Sequence, residues 1–255
     1  MAGEKSILID PTRCVGCHAC YTACKNWNGL PDKKPQTTGM DTVASIRPEN
    51  WNYVQHATAG DRRVYFPMMC LHCTDAPCVM ACPENAIVDV NGWKVVKREY
   101  CIGCGSCVDA CPYHAVQLYE GPNRGSLQNK KAYKCDGCTE NFSDVPRCVR
   151  NCPTGALTFD YRLRILSLAA RIQERVRKAF TGARVYGPDV HRGTNVLLIL
   201  LSGDHKGLIT DARQGKRRTE QILYRLVSSF TGRRRIFSKY LFDAISLVTT
   251  GKRKS

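Results

Sequence analysis

Residues 101–112 read CIGCGSCVDACP, with cysteines at 101, 104 and 107, a fourth at 111, and a closing proline. A C-x2-C-x2-C loop is tight enough to wrap three thiolates around one 4Fe-4S cube while backbone N–H groups turn towards its sulfurs. The fourth cysteine, ahead of Pro112, turns away along a helix and in such runs ligates the second cluster of a pair. One run of this kind therefore predicts another.

The chain supplies three more. They are CVGCHACYTACK (Cys14, Cys17, Cys20, Cys24), CLHCTDAPCVMACP (Cys70, Cys73, Cys78, Cys82) and CDGCTENFSDVPRCVRNCP (Cys135, Cys138, Cys148, Cys152); with Cys101, Cys104, Cys107 and Cys111 these account for all 16 cysteines. Run one has Lys25 where the others have proline. A lysine there either favours the reduced, more negative state of a nearby cluster or is a solvated charge at a helix end. Runs two and four are stretched inside, between Cys73 and Cys78 and between Cys138 and Cys148. Structural zinc is the main competing reading, but closed four-cysteine zinc sites use two close pairs. Three close cysteines, a distant fourth and a Cys-Pro step suit cubes ligated crosswise.

The segments between the runs read as ferredoxin pieces. Ser6 to Asp10 is a strand leading into run one. After run two, AIVDVNGWKVV places Asn91-Gly92 between apolar runs, the signal of a type I′ hairpin. AVQLY after Cys111 and ALTF after Cys152 are closing strands. Runs two and three, joined by that hairpin, form one ferredoxin-like lobe. Runs one and four pair most simply with each other, so the second lobe is inserted in the first.

The expected fold is α+β. The outer lobe spans 1–30 and 125–160, a loop excursion 31–66, the inserted lobe 67–124, and a mainly helical, basic C-terminal extension 161–255. Residues 26–66 show no sustained period beyond a strand at Arg63 to Phe66. Trp27, Trp51 and Tyr53 there are expected to fill gaps against the lobes rather than meet a partner. In the extension, Ile165, Leu168, Ala169, Ile172, Val176, Ala179 and Phe180 share one helical face, with Asp160 as cap and Gly182 as stop. ARVYG and NVLLILL read as strands, the latter far too short to span a bilayer. Two basic amphipathic helices follow, around Ile222 to Phe230 and Phe237 to Val248, flanking Arg233, Arg234 and Arg235.

Charge divides the chain. Residues 1–160 hold 17 Lys+Arg against 16 Asp+Glu, while residues 161–255 hold 21 against 6, so nearly all of the net +16 lies in the extension. Four oxidised cubes with their thiolates add a formal charge of about −8 to the first part. The basic helices suit packing on a partner protein or peripheral membrane contact. No nucleic-acid motif accompanies them, and nucleic acid is not expected. The opening MAGEKSILID lacks an apolar signal segment. Free thiols and cluster assembly point to a reducing compartment, so the cytoplasm is expected, with folded export beside a signal-bearing partner as the alternative.

No nucleophile elbow, phosphate loop or distinctive carboxylate pair is present. His18, His72 and His114 lie beside the runs, where supporting or surface roles are expected. Without a substrate-binding constellation the chain reads as wiring, not as a catalyst.

As a set, the four runs resemble the four-cluster iron-sulfur subunit of the dimethyl-sulfoxide-reductase superfamily of molybdenum and tungsten oxidoreductases. CKNWNGLP after run one, with GARVYGPD and GTNVLLILL in the extension, looks like formate dehydrogenase beta subunits. The resemblance implies four ligand sets: Cys14, Cys17, Cys20 with Cys152; Cys135, Cys138, Cys148 with Cys24; Cys70, Cys73, Cys78 with Cys111; and Cys101, Cys104, Cys107 with Cys82. It also implies a partner chain holding a Mo- or W-bis-pterin site and a further electron donor or acceptor subunit. Membrane-bound beta subunits of this kind carry a transmembrane helix near the C-terminus, whereas this tail is basic and interrupted by charges, which predicts a soluble or peripheral complex. The same wiring suits a polysulfide, thiosulfate, arsenate or aldehyde oxidoreductase. A free polyferredoxin carrier is the alternative from another class.

Overall fold

The computed structural model describes residues 4–30, 46–59, 62–119, 130–139 and 145–201. In chain order these form β1 (Lys5–Ile9), α1 (Ala19–Trp27), β2 (Asn52–Ala59), β3 (Arg62–Met69), α2 (Pro77–Met80), β4 (Ile87–Val90), β5 (Trp93–Val96) and α3 (Ser106–Ala110). There follow β6 (Gln117–Tyr119), β7 (Lys131–Tyr133), α4 (Arg147–Arg150), β8 (Leu157–Tyr161), α5 (Arg162–Arg177), β9 (Arg184–Tyr186) and β10 (Val196–Leu200). The two basic helices expected beyond residue 201 lie outside the described residues.

The lead-in strand of run one and the closing strand of run four are partners. β1 pairs antiparallel with β8, Ile7 opposite Phe159. On its other edge β1 pairs parallel with β10, Ile7 opposite Val196, and β9 completes a sheet of order β8-β1-β10-β9. Both faces of the two central strands are covered, so Ile7, Leu8, Ile9 and every residue of β10 are buried, which explains their unbroken apolar sequence. One face receives α5, whose Ile165, Ala169, Ile172 and Val176 pack on Leu8, Leu197 and Ile199. The helical spacing read from the sequence is the packed face up to Val176, but the helix ends at Arg177, short of the expected stop at Gly182, and Ala179 lies beyond it and is exposed; each large aliphatic buried here contributes roughly 1.5–3 kcal/mol. The other face meets Trp93, Val54, Phe66 and Met69.

Three further features differ from the sequence expectation. Segment 161–201 is not appended to the lobes. Its β10 lies at the centre of the sheet, and its lead-in holds the run-two loop through Asn195 N–H to His72 O, Val196 N–H to Leu71 O and Thr74 N–H to Gly193 O. The α5 cap falls on Tyr161 without a side-chain bond. Asp160 instead accepts from Tyr161 N–H and pairs with Arg164 one turn on. Finally, the loop expected around residues 50–62 contains β2, which pairs with β3 along its whole length, Asn52 opposite Met69 to Ala59 opposite Arg62.

The β4–β5 hairpin follows the sequence. β4 and β5 join through Asn91 and Gly92, both at positive φ (52° and 87°) as a type I′ turn requires. The closing strand β6 pairs with β7, the lead-in to run four.

Candidate metal-cluster sites

Each run opens with the same backbone turn. The second residue after the first cysteine has positive φ in all four: Gly16 71°, His72 50°, Gly103 72° and Gly137 73°. Three are glycine because the conformation disfavours a Cβ. At Gly137 an added Cβ would also stand 2.5 Å from the Trp93 ring. The fourth cysteines share a second turn. In the CPENA, CPYHA and CPTGA stretches the third residue on has positive φ: Asn85 50°, His114 50° and Gly155 62°. Asn, His and Gly are residues that tolerate this region. The turn brings the alanine N–H back onto sulfur, Ala86 to Cys82 Sγ at 3.2 Å and Ala115 to Cys111 Sγ at 3.3 Å. Cys152 receives N–H groups of Leu157, Ala156 and Thr154 and the Thr154 hydroxyl, which hold its thiol low despite the burial that would raise it.

Run one breaks this second pattern. With Lys25 in place of proline, α1 continues through Cys24 to Trp27, and the side-chain amide of Asn28 donates to Cys24 Sγ at 3.6 Å. Asn28 is a residue the sequence reading missed. Its position four residues after the cysteine, where the other runs have alanine, was the available signal.

The sulfurs gather in sets that mix runs. One hollow is lined by Cys82, Cys101, Cys104 and Cys107, another by Cys24, Cys135, Cys138 and Cys148, and a third by Cys14, Cys17, Cys20 and Cys152. The remaining four cysteines are also neighbours: burial raises the Cys73 thiol, followed by the nearby Cys70, Cys111 and Cys78. Burial likewise pushes Cys20 up to about 12, helped by Cys14 and Cys152, and Cys107 up to about 12, helped by Cys78 and by Cys101, Cys104 and Cys82. Thiolates crowded in this way are stable only around a cation-rich group.

The hollows fit a cluster better than a single ion. Among the described residues no three His, Cys, Asp or Glu side chains converge on one point as a lone metal would need. Trp51 lines the Cys24 hollow, and among the described residues its buried Nε1 has no acceptor, a place that a cluster sulfur would fill. Trp51 is buried. Trp27 instead stacks under Arg147, whose guanidinium lies 3.5 Å from the ring centre.

The three histidines have distinct places. His18 lines the Cys14 hollow from a left-handed position before α1, and His114 is the turn residue already described. His72 is not a surface residue. It is 1% exposed, accepts the Lys94 N–H at Nδ1 and stands edge-on to Trp93, and burial, with Lys134 and Lys94 nearby, keeps it neutral. Lys134 is the second residue missed by sequence reading. It is 2% exposed and donates from Nζ to Lys94 O and, at 2.7 Å, to Cys135 O.

Two family profiles, both described as "4Fe-4S dicluster domain", match residues 13–87 and 62–162. The chain is 33% identical over 215 residues to the nitrate-inducible formate dehydrogenase iron-sulfur subunit of Escherichia coli K12, covering 80% of this chain and 71% of that protein. It is 36% identical over 170 residues to a sulfite dehydrogenase subunit of Allochromatium vinosum, covering 61% of this chain and 68% of that one. The electron transport protein HydN of E. coli K12 is 34% identical over 185 residues, 69% of this chain and 99% of HydN. With loops, sulfur-directed N–H groups and relatives all agreeing, the chain belongs to the family of formate dehydrogenase-like iron-sulfur subunits, electron-transfer proteins that hold 4Fe-4S clusters.

Proposed function

We propose that the four cysteine sets hold four 4Fe-4S clusters, ligated crosswise as the resemblance implies, with the lobe of runs two and three inserted in that of runs one and four. The observation that carries this reading is the make-up of the hollows, in which three cysteines of one run meet the fourth of another. The β1–β8 pairing supports the insertion.

The neighbours across sets support a linear order. Cys20 lies near Cys24 and Cys148, Cys70 near Cys135, and Cys78 near Cys107. The order is then the Cys14 set, the Cys24 set, the Cys111 set and the Cys82 set. Its two ends carry the exposed cysteines, Cys17 and Cys104, and exposed apolar residues: Val15 at one end, Tyr100 and Ile102 at the other. Each cluster, when bound, accepts and releases single electrons. The chain's own residues hold the spacing, exclude water from the middle and present both ends to partners.

The relay serves a separate chain bearing a Mo- or W-pterin site, of formate dehydrogenase type, and a second redox partner. This chain performs no catalysis itself. The relatives named as formate dehydrogenase subunits support that assignment. Among the described residues no helix is long and apolar enough to cross a membrane, which is compatible with a peripheral placement.

The test is metal analysis and formate-dependent reduction of the complex purified through a tag on this chain. About sixteen Fe per chain, with Mo or W and bleaching of the clusters by formate, is the expected result. The same iron with neither metal would favour the second reading, a free carrier, which the near-complete coverage of HydN favours. Zinc in place of iron would overturn both.

A further inference from the structure

Lys134 is an ammonium group sealed inside the protein where the two inner cysteine sets meet. It precedes Cys135 of run four, yet the charge-bearing groups around it come from two runs: Cys70 and Cys78 of run two, Cys135 and Asp136 of run four. Its Nζ donates to the carbonyl oxygens of Lys94, on β5, and Cys135. The peptide of Lys94 in turn donates its N–H to Nδ1 of His72, between Cys70 and Cys73. Hydrogen bonds to the backbone of Lys94 thus tie run four, the β4–β5 hairpin and run two together.

A buried ammonium needs an opposite charge. Among the described residues no carboxylate forms an ion pair with Lys134, in contrast to Lys94, whose Nζ is paired with Asp89. Asp136 is among its charged neighbours, and it also faces Cys24, Cys135 and Cys138. Two backbone carbonyls supply dipoles but no charge. Further negative charge is supplied once the sulfurs of Cys70, Cys78 and Cys135 are thiolates around oxidised cubes, each cube with its four thiolates carrying about −2.

We propose that Lys134 is the shared counter-charge of the two inner clusters, raising both their reduction potentials and so levelling the passage of electrons from one lobe to the other. This rests on the four-cluster reading above. Reduction adds negative charge on both sides of the lysine, so a fixed cation there favours the reduced form of each cluster. The two outer clusters, farther away and nearer water, are affected less.

The experiment is an EPR-monitored redox titration of the purified complex, with iron analysis, for the unaltered chain and for Lys134→Gln and Lys134→Arg. Gln keeps a hydrogen-bond donor but loses the charge. Two of the four cluster signals should move to lower potential by at least tenfold in the one-electron equilibrium, about 59 mV, with iron unchanged and Arg close to the unaltered protein. Four clusters present and no selective shift in Gln would overturn the proposal while leaving the four-cluster reading intact. Fewer than four clusters in the unaltered chain would overturn that reading and this proposal with it. If Gln loses iron, Arg decides: retention of all four clusters supports the charge, and loss in both variants assigns Lys134 a purely structural role, overturning it.

Discussion

The side-chain amide of Asn28 donates to Cys24 Sγ from one helical turn further on, the place taken at Cys82 and Cys111 by the backbone N–H groups of Ala86 and Ala115. A hydrogen bond to sulfur stabilises the more negative, reduced state of a cluster. Asn28→Ala should therefore lower the potential of one cluster only, the one ligated by Cys24, by about 1 kcal/mol in free energy. A redox titration resolving four signals checks this, and an equal shift of all four would refute it.

Cys24→Ser separates crosswise from local ligation. Cys24 lies among Cys135, Cys138 and Cys148 although its own run supplies Cys14, Cys17 and Cys20. The variant should disturb the cluster of the run-four cysteines, read as an altered or missing EPR signal with at most four Fe lost. Loss of the Cys14 cluster instead would refute the assignment.

Gly137→Ala should weaken the same site from the backbone. At φ 73° a side chain costs about 1–2 kcal/mol, and the Trp93 ring blocks the space that a Cβ would need. Faster iron release on mild heating than from the unaltered chain is the expected result. A variant as robust as the parent would show that the turn is not required.

Ile165→Ala tests the sheet rather than the clusters. Ile165, on the inner face of α5, is fully buried against Leu8 and Leu197, and truncation should cost roughly 2–5 kcal/mol. Thermal unfolding should occur earlier while all four potentials stay in place. Shifted potentials would mean that α5 acts on the clusters as well as on the core.

Much of this was legible in the sequence because cysteine spacing is a local code. The loops, the Asn91-Gly92 hairpin and the α5 face are each specified by residues close to one another in the sequence. What was hidden depends on distant partners. The β2 sequence NYVQHATA has few apolar residues to betray a strand, and it is set by pairing with β3. Lys134 reads as an ordinary solvated lysine until Lys94, Cys70 and Cys78 close around it. The parallel pairing of β10 with β1 joins segments almost two hundred residues apart. No periodicity within either strand announces its neighbour.

Cys17 and Cys104 are exposed, at opposite ends of the proposed order, whereas Cys70, Cys73, Cys78 and Cys111 of the interior are all buried. Dissolved oxygen would meet the two ends first. Air damage should then sever the wire at its terminals while sparing its middle, leaving a brown protein that still stores electrons but no longer conducts them. Colour alone would be a poor guide to whether such a preparation is alive.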